Sequence, residues 1–265
     1  MDFFLKQDWL NRGYDSYAFK WDHLLFILIA VIIGISLAIL LRGKNKRTIE
    51  IVIISLWGLG LLSEIFHYSF LYYLANTDPS FSFRIDYHLP LHSCLMFFYI
   101  FPFAIFSKNK YIKTACNNFL VVVNMIMGFI TLFVGCPSPG YSALSFFGFQ
   151  TLLYHSIIVI VPFIMIFTNY YDLKKWDIAY GMVLFAILST LMWIFDAITG
   201  SDYFYFYDGH TFPILHNISD NVPHIVWTLL IVSCYVITAF IIHFLVYYVK
   251  YFVNKHHEKS QAITQ

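Results

Sequence analysis

Residues 49–74 read IEIVIISLWGLGLLSEIFHYSFLYYL. A helix needs about 20 mostly apolar residues to cross the hydrocarbon core of a bilayer, and this run exceeds that. Its second half carries Glu64 and His67. At a spacing of three they lie one turn apart on one helix face. An ionisable side chain deep in the bilayer costs at least ~2.5–3.5 kcal/mol on insertion scales, so it persists where it has a partner or a task. The stretch reads as a transmembrane helix with a polar site built into it.

Working outward, six further apolar runs are expected to span, at about 23–41, 89–106, 115–134, 150–168, 177–197 and 222–249. The run at 49–74 and the last one are long enough to tilt or protrude. The fold class is all-α: a polytopic membrane helix bundle of about seven transmembrane helices. Composition agrees, with 60% hydrophobic residues, 12% charged residues and a mean hydropathy of +0.69. A formal net charge of +1 gives no bulk attraction to nucleic acid. Three segments follow: an interfacial N-terminal segment over 1–22, a membrane domain over 23–249 and a polar tail over 250–265. The first segment has no basic stretch feeding a short apolar core and no small-residue cleavage site, so it does not read as a signal peptide. Its aromatic residues, Phe3, Phe4, Trp9, Tyr14, Tyr17 and Trp21 among them, suit the headgroup level.

Lysine and arginine set the orientation. Of the 16 present, twelve fall in the connections at 42–48, 107–114 and 169–176 and in the tail. The other side holds Lys6, Arg12, Lys20 and Arg84. The positive-inside rule then puts the N-terminus outside and the C-terminus in the cytoplasm.

With this topology most of the ionisable residues in the spans sit near the outer face. Glu64 and His67 lie in the outer half of the second span; His88, His92 and Cys94 lead into the third. His155 is one or two turns into the fifth, Asp196 ends the sixth and His224 opens the seventh. Helix bundles build sites from side chains on facing helices in this way. Each residue also has a plain structural reading. Glu64 and His67 can tie their helix to a neighbour, Asp196 can cap its helix, and His88 and His224 can reach interfacial water. Cys116 and Cys234 read as small hydrophobes, and Cys136, in Gly135-Cys136-Pro137-Ser138-Pro139-Gly140, as part of a rigid loop. His92, Cys94 and His155 are the three for which function is preferred.

In Tyr87-His88-Leu89-Pro90-Leu91-His92-Ser93-Cys94, Pro90 suits a first helical position. Cys94 would then lie one turn inside a helix, where the macrodipole favours an anion. A neighbouring histidine would favour the thiolate further, and the thiolate is the nucleophile. Metal binding by His88, His92 and Cys94 with Glu64, Asp196 or His224 is a weaker alternative, because H-x3-H-x-C matches no zinc spacing. Neither a metal nor a cofactor is expected, and the four cysteines contain no CxxC.

The Leu89-Pro90-Leu91-His92-x-Cys94 motif resembles that of the YwaF-like bacterial integral membrane proteins. Gly128 with Pro137-x-Pro139, His155, and Asp202-Tyr203-Phe204-Tyr205 extend the resemblance over most of the chain. That group is similar to a eukaryotic transmembrane family with a cysteine-dependent acyltransferase acting on ether lysophospholipids. The resemblance implies Cys94 as acyl acceptor, His155 as its partner, and membrane lipids, including a lysophospholipid or an acyl donor, as substrates. It also implies a multi-pass protein of a bacterial plasma membrane. The chain departs from the pattern at 133–137, which lacks the usual glutamine, and at Ser201-Asp202, where a neutral amide is the rule.

The functional expectation is a lipid acyltransferase or acyl hydrolase with Cys94 as nucleophile, His155 or His92 as base, and Glu64, His67, Asp196 and His224 shaping the pocket. The alternative is a proton-coupled transporter or solute-binding protein using Glu64 and His67. Against it stand the odd helix count, the lack of paired interrupted spans, and a cytoplasmic half that reads as nearly free of charge.

Overall fold

The computed structural model describes residues 19–79, 81–84, 88–134, 143–207 and 218–263, with backbone alone for Val134 and 253–263. Most of the expected interfacial segment, the Cys136 loop and Asn217 of the Asn217-Ile218-Ser219 sequon lie outside the described residues. Among the described residues the secondary structure is entirely helical.

The helices are α1 (Trp21–Leu41), α2 (Lys46–Thr77), α3 (Met96–Phe106), α4 (Lys110–Phe119), α5 (Met125–Val134), α6 (Phe146–Phe167), α7 (Asp177–Thr199) and α8 (His224–Ile263). A π-helical turn, Leu120–Asn124, joins α4 to α5, so Lys110–Phe133 crosses as one unit. Among the described residues six helices are long and apolar enough to span a membrane, and α3 is a shorter apolar one. The bundle is thus the expected all-α membrane architecture, with one of the seven runs only partly helical.

Several helices begin earlier than the apolar runs suggest, because capping residues set their starts. Asn45 accepts from the Thr48 amide at 2.9 Å, Asn109 from that of Tyr111 at 2.9 Å, and Ser145 from that of Gly148 at 3.2 Å. Each satisfies an amide that the first helical turn leaves unpaired.

Helix α6 occupies the centre, packed against α1, α2 and α5, while α4 lies along α7. The core runs through Phe97, Phe101, Phe119, Leu120, Ile158, Val161 and Ile164. Leu24, Leu28, Ile32 and Ile39 of α1 instead point outward. Apolar surface on that scale suits a lipid neighbour rather than water. The close approach of α4 to α7 depends on Gly181, where a Cβ would come 2.1 Å from Asn118 Oδ1. At the far end of α7, Gly200 takes a left-handed turn (φ 71°) and closes the helix with a bond to the Asp196 carbonyl.

Pro102 sits inside α3 and so withholds the amide that would bond the Phe98 carbonyl four residues back. The Trp57 indole donates to that carbonyl at 3.3 Å, and its ring stacks on Phe101 at 5.6 Å. A helix defect in α3 is thereby repaired from α2.

Candidate functional site around Cys94

The segment before α3 is not helical: residues 89–95 form successive turns, and α3 starts at Met96. Cys94 therefore lies two residues before the helix rather than one turn inside it. Pro90 opens no helix. The cause is visible in the hydrogen bonds, which run Leu95 amide to His92 carbonyl at 2.8 Å and Phe97 amide to Cys94 carbonyl at 3.2 Å. Asn124, fully buried in the π-helical turn, donates its side-chain amide to the carbonyls of Ser93 and Cys94, both at 3.1 Å. A π-helical turn of this kind often marks a functional site. Here it turns a polar side chain inward to hold the backbone of the cysteine.

The Cys94 side chain is half-buried. Tyr154 of α6 stands against its thiol, and Tyr68 of α2 and Tyr235 of α8 lie within electrostatic reach. Tyr235 also donates to Ser93 Oγ at 3.3 Å. Beside Tyr154, with ring centroids 4.0 Å apart, is His155. Its Nδ1 is 2.7 Å from the Thr151 carbonyl, which can only accept, so Nδ1 carries the proton and Nε2 is the basic nitrogen. That Nε2 is buried with no hydrogen-bond partner. His155 and His92 lie within electrostatic range of each other.

Glu64 is buried on the same side of the bundle. Gln150 of α6 donates its amide to one carboxylate oxygen, and His67 Nδ1 is 3.5 Å from the other. Tyr68, Tyr99 and Tyr154 are its electrostatic neighbours. Gln150 and Tyr154, four apart on α6, thus present one face to both Glu64 and Cys94. No local pattern singles out Gln150, Tyr154 or Asn124, since uncharged polar residues in apolar runs are common.

Asp196 is almost fully buried and acts on the loop that follows α7. Its carboxylate accepts from Ser201 Oγ at 2.6 Å and from the Tyr203 amide at 3.2 and 3.3 Å. The Tyr203 ring packs edge-on to His92 with centroids 4.9 Å apart, and its hydroxyl accepts from the Leu89 amide at 2.9 Å. Asp196 therefore reaches the cysteine segment through Tyr203. With Tyr203, Phe204 and Phe206 buried, this loop plugs the bundle rather than lying at the headgroups. Trp227 and Thr228 of α8 donate to the carbonyls of Tyr205 and Phe206 and fasten it.

The other two candidate histidines, His88 and His224, have surroundings of their own. His88 is buried, bonded to the Arg84 backbone and flanked by Phe81 and Phe83, instead of reaching water. His224 is exposed and stacks on Tyr207 at 4.4 Å. Cys116 is buried as expected, whereas Cys234 is exposed on α8. Among the described residues no group of three or more His, Cys, Asp or Glu is arranged to hold a metal.

The opposite end of the bundle is more polar than its sequence reads. Asn118, Asp177 and His243 are buried there. Asn118 Nδ2 donates to His243 Nδ1 at 3.0 Å, and His243 Nε2 donates to the Lys175 carbonyl at 3.1 Å. Both ring nitrogens are engaged, so the histidine ties α4, α8 and the connection before α7 together instead of offering a proton site.

These features define a multi-pass helical membrane protein with a half-buried cysteine set among tyrosines, histidines and a carboxylate. The chain belongs to the TMEM164 family, whose pattern matches residues 18–247. No curated protein and no solved structure shows significant similarity to it.

Proposed function

We propose that this protein is a cysteine-dependent lipid acyltransferase or acyl hydrolase, with Cys94 as nucleophile and His155 as base. The single observation that carries the reading is the neighbourhood of the thiol. A half-buried cysteine, held by Asn124 from a π-helical turn, adjoins a residue pair whose histidine has a buried, proton-free Nε2. The resemblance of Leu89-Pro90-Leu91-His92-x-Cys94 to the YwaF-like proteins and their acyltransferase relatives supports it.

In the reaction, His155 Nε2 accepts the thiol proton as Sγ attacks the carbonyl carbon of a phospholipid acyl ester. The tetrahedral adduct collapses, the C–O bond breaks, and the proton passes to the leaving lysophospholipid oxygen. The acyl group is left on Cys94 as a thioester. A second lysophospholipid hydroxyl, or water, gives its proton to His155 and attacks the thioester carbonyl; the C–S bond breaks, and the departing thiolate takes that proton back from His155. Glu64, His67 and Gln150 shape the polar wall, and Asp196 positions His92 through Tyr203. His224, exposed and stacked on Tyr207, belongs to the outer rim. The charge asymmetry supports an outward-facing site, and the resemblance to the YwaF-like proteins favours a plasma membrane of bacterial type.

Purified wild type and Cys94→Ala, incubated with defined phospholipid and lysophospholipid, test this by mass spectrometry. The expected result is acyl exchange or fatty-acid release by the wild type and none by Cys94→Ala. Equal turnover by both would remove Cys94 from the chemistry. Transport by way of Glu64 gains no comparable support, because His243 at the opposite end is saturated with hydrogen bonds.

A further inference from the structure

Two consecutive residues of α6, the first of them against the nucleophile, leave opposite hydrogen-bonding needs unmet. Tyr154 is 4% exposed, and its hydroxyl stands against the Cys94 thiol with no oxygen or nitrogen acceptor. His155 is also 4% exposed, and its Nε2 finds no donor. An unmet buried polar group costs about 1–3 kcal/mol, and each such group calls for an explanation. Here the donor stands against the thiol and the acceptor lies on the next residue of α6, on rings whose centroids are 4.0 Å apart. A ligand that satisfies both must bring an acceptor and a donor to the sulfur. An ester carbonyl and an incoming hydroxyl are that pair.

Resting on the acyl-transfer reading above, we propose that Tyr154 is a catalytic residue: its hydroxyl donates to the acyl carbonyl oxygen and stabilises the oxyanion formed when Cys94 attacks. The cysteine precedes its helix, so it is not set inside the first turn as the sequence had implied. The carbonyls around it are turned toward Asn124. A side-chain donor can serve there, and Tyr154 offers one from α6. As Sγ bonds to the carbonyl carbon, the carbonyl π pair moves onto oxygen and is held by the Tyr154 O–H. When the adduct collapses, that pair re-forms the carbonyl and the leaving oxygen takes the proton from His155. Tyr154 itself gains and loses no proton. The acceptor's hydroxyl then occupies the vacant position at Nε2.

The test compares two reactions of the same thiol. Full-length wild type and Tyr154→Phe in detergent are treated with p-nitrophenyl palmitate, which acylates through a tetrahedral adduct, and with iodoacetamide, which alkylates without one. The Cys94 peptide is quantified by mass spectrometry in each case. Tyr154→Phe keeps the ring that packs against Phe98 and His155. The expected result is acylation slower by about 10²-fold or more, with kcat falling and KM little changed, and alkylation within about twofold of wild type. An equal fall in both reactions would make Tyr154 a residue that positions or activates the thiol and would overturn the proposal. No change in either would overturn it while leaving Cys94 chemistry intact. A wild type that alkylates at Cys94 but never acylates would overturn the acyl-transfer reading and this proposal with it.

Discussion

The side-chain amide of Asn124 donates to the carbonyl oxygen of Cys94 at 3.1 Å, so the π-helical turn of one spanning unit holds the backbone of the candidate nucleophile. The same amide reaches the Ser93 carbonyl at 3.1 Å. Asn124→Ala takes a donor from the Ser93 carbonyl and leaves the Cys94 carbonyl to the Phe97 amide in the bundle interior. It is expected to destabilise the fold by about 1–3 kcal/mol and to change the rate of Cys94 alkylation severalfold, with Cys116 labelling unaffected. Thermal unfolding in detergent and peptide-level labelling check both. An unchanged midpoint with unchanged labelling would mean the amide does not hold the turn.

Glu64 and Gln150 bridge α2 to α6. Glu64→Leu leaves the Gln150 amide without its acceptor, and the expected loss is about 1–3 kcal/mol. Glu64→Gln keeps the shape and an acceptor oxygen, so its loss should be smaller. Unfolding midpoints of the two variants, ranked the other way, would show that Glu64 is itself a burden on the fold.

Gly181→Ala brings a methyl group into the Asn118 side chain, which lies 2.1 Å from the ideal Cβ position. Overpacking of this kind costs about 1–3 kcal/mol, and here it also pushes Asn118 off His243. Pairing it with Asn118→Ala removes the clash. The double variant should therefore be less destabilised than the sum of the singles, a coupling that a double-mutant cycle measures directly.

Tyr171, in the connection before α7, donates to Asp177 Oδ2 at 2.7 Å. Burial first, and the hydrogen bond to the Asp177 carboxylate next, raise its pKa above the ordinary 10.0. A raised folded pKa favours the neutral phenol in the native state. Its contribution is therefore complete below pH about 10 and is lost as the pH climbs from there toward the raised value. Tyr171→Phe should lower the unfolding midpoint near neutral pH and flatten its fall above about pH 10. Unfolding curves from pH 7 to 11 decide the matter, and parallel decline of the two proteins would contradict it.

Hydropathy and charge made the bundle legible. Apolar length located the six long helices, and Glu64 and His67 form the close pair that their spacing implies. Helix starts were less legible, because Asn45, Asn109 and Ser145 cap upstream of the apolar runs. The segment before α3 misled for a different reason. Pro90 suits a helix start in isolation, but Asn124, thirty residues away, captures the carbonyls of Ser93 and Cys94 and favours turns. Tertiary contacts of that range leave no local pattern. Asp196 proved to be a loop anchor acting through Tyr203, and His224 an exposed stacking partner of Tyr207; neither depth along a helix nor residue type separates such roles. Gln150 and Tyr154 were silent for the same reason, since only the packing of α6 on α2 and α3 turns them toward Glu64 and Cys94.

The most direct test of the account is intact and peptide mass spectrometry of the wild-type protein after brief incubation with a defined phospholipid. An acyl adduct on the Cys94 peptide, removed by neutral hydroxylamine and accumulating when lysophospholipid is withheld, is the predicted result. Turnover of phospholipid with no hydroxylamine-sensitive adduct on Cys94 at any time point would contradict the thioester mechanism.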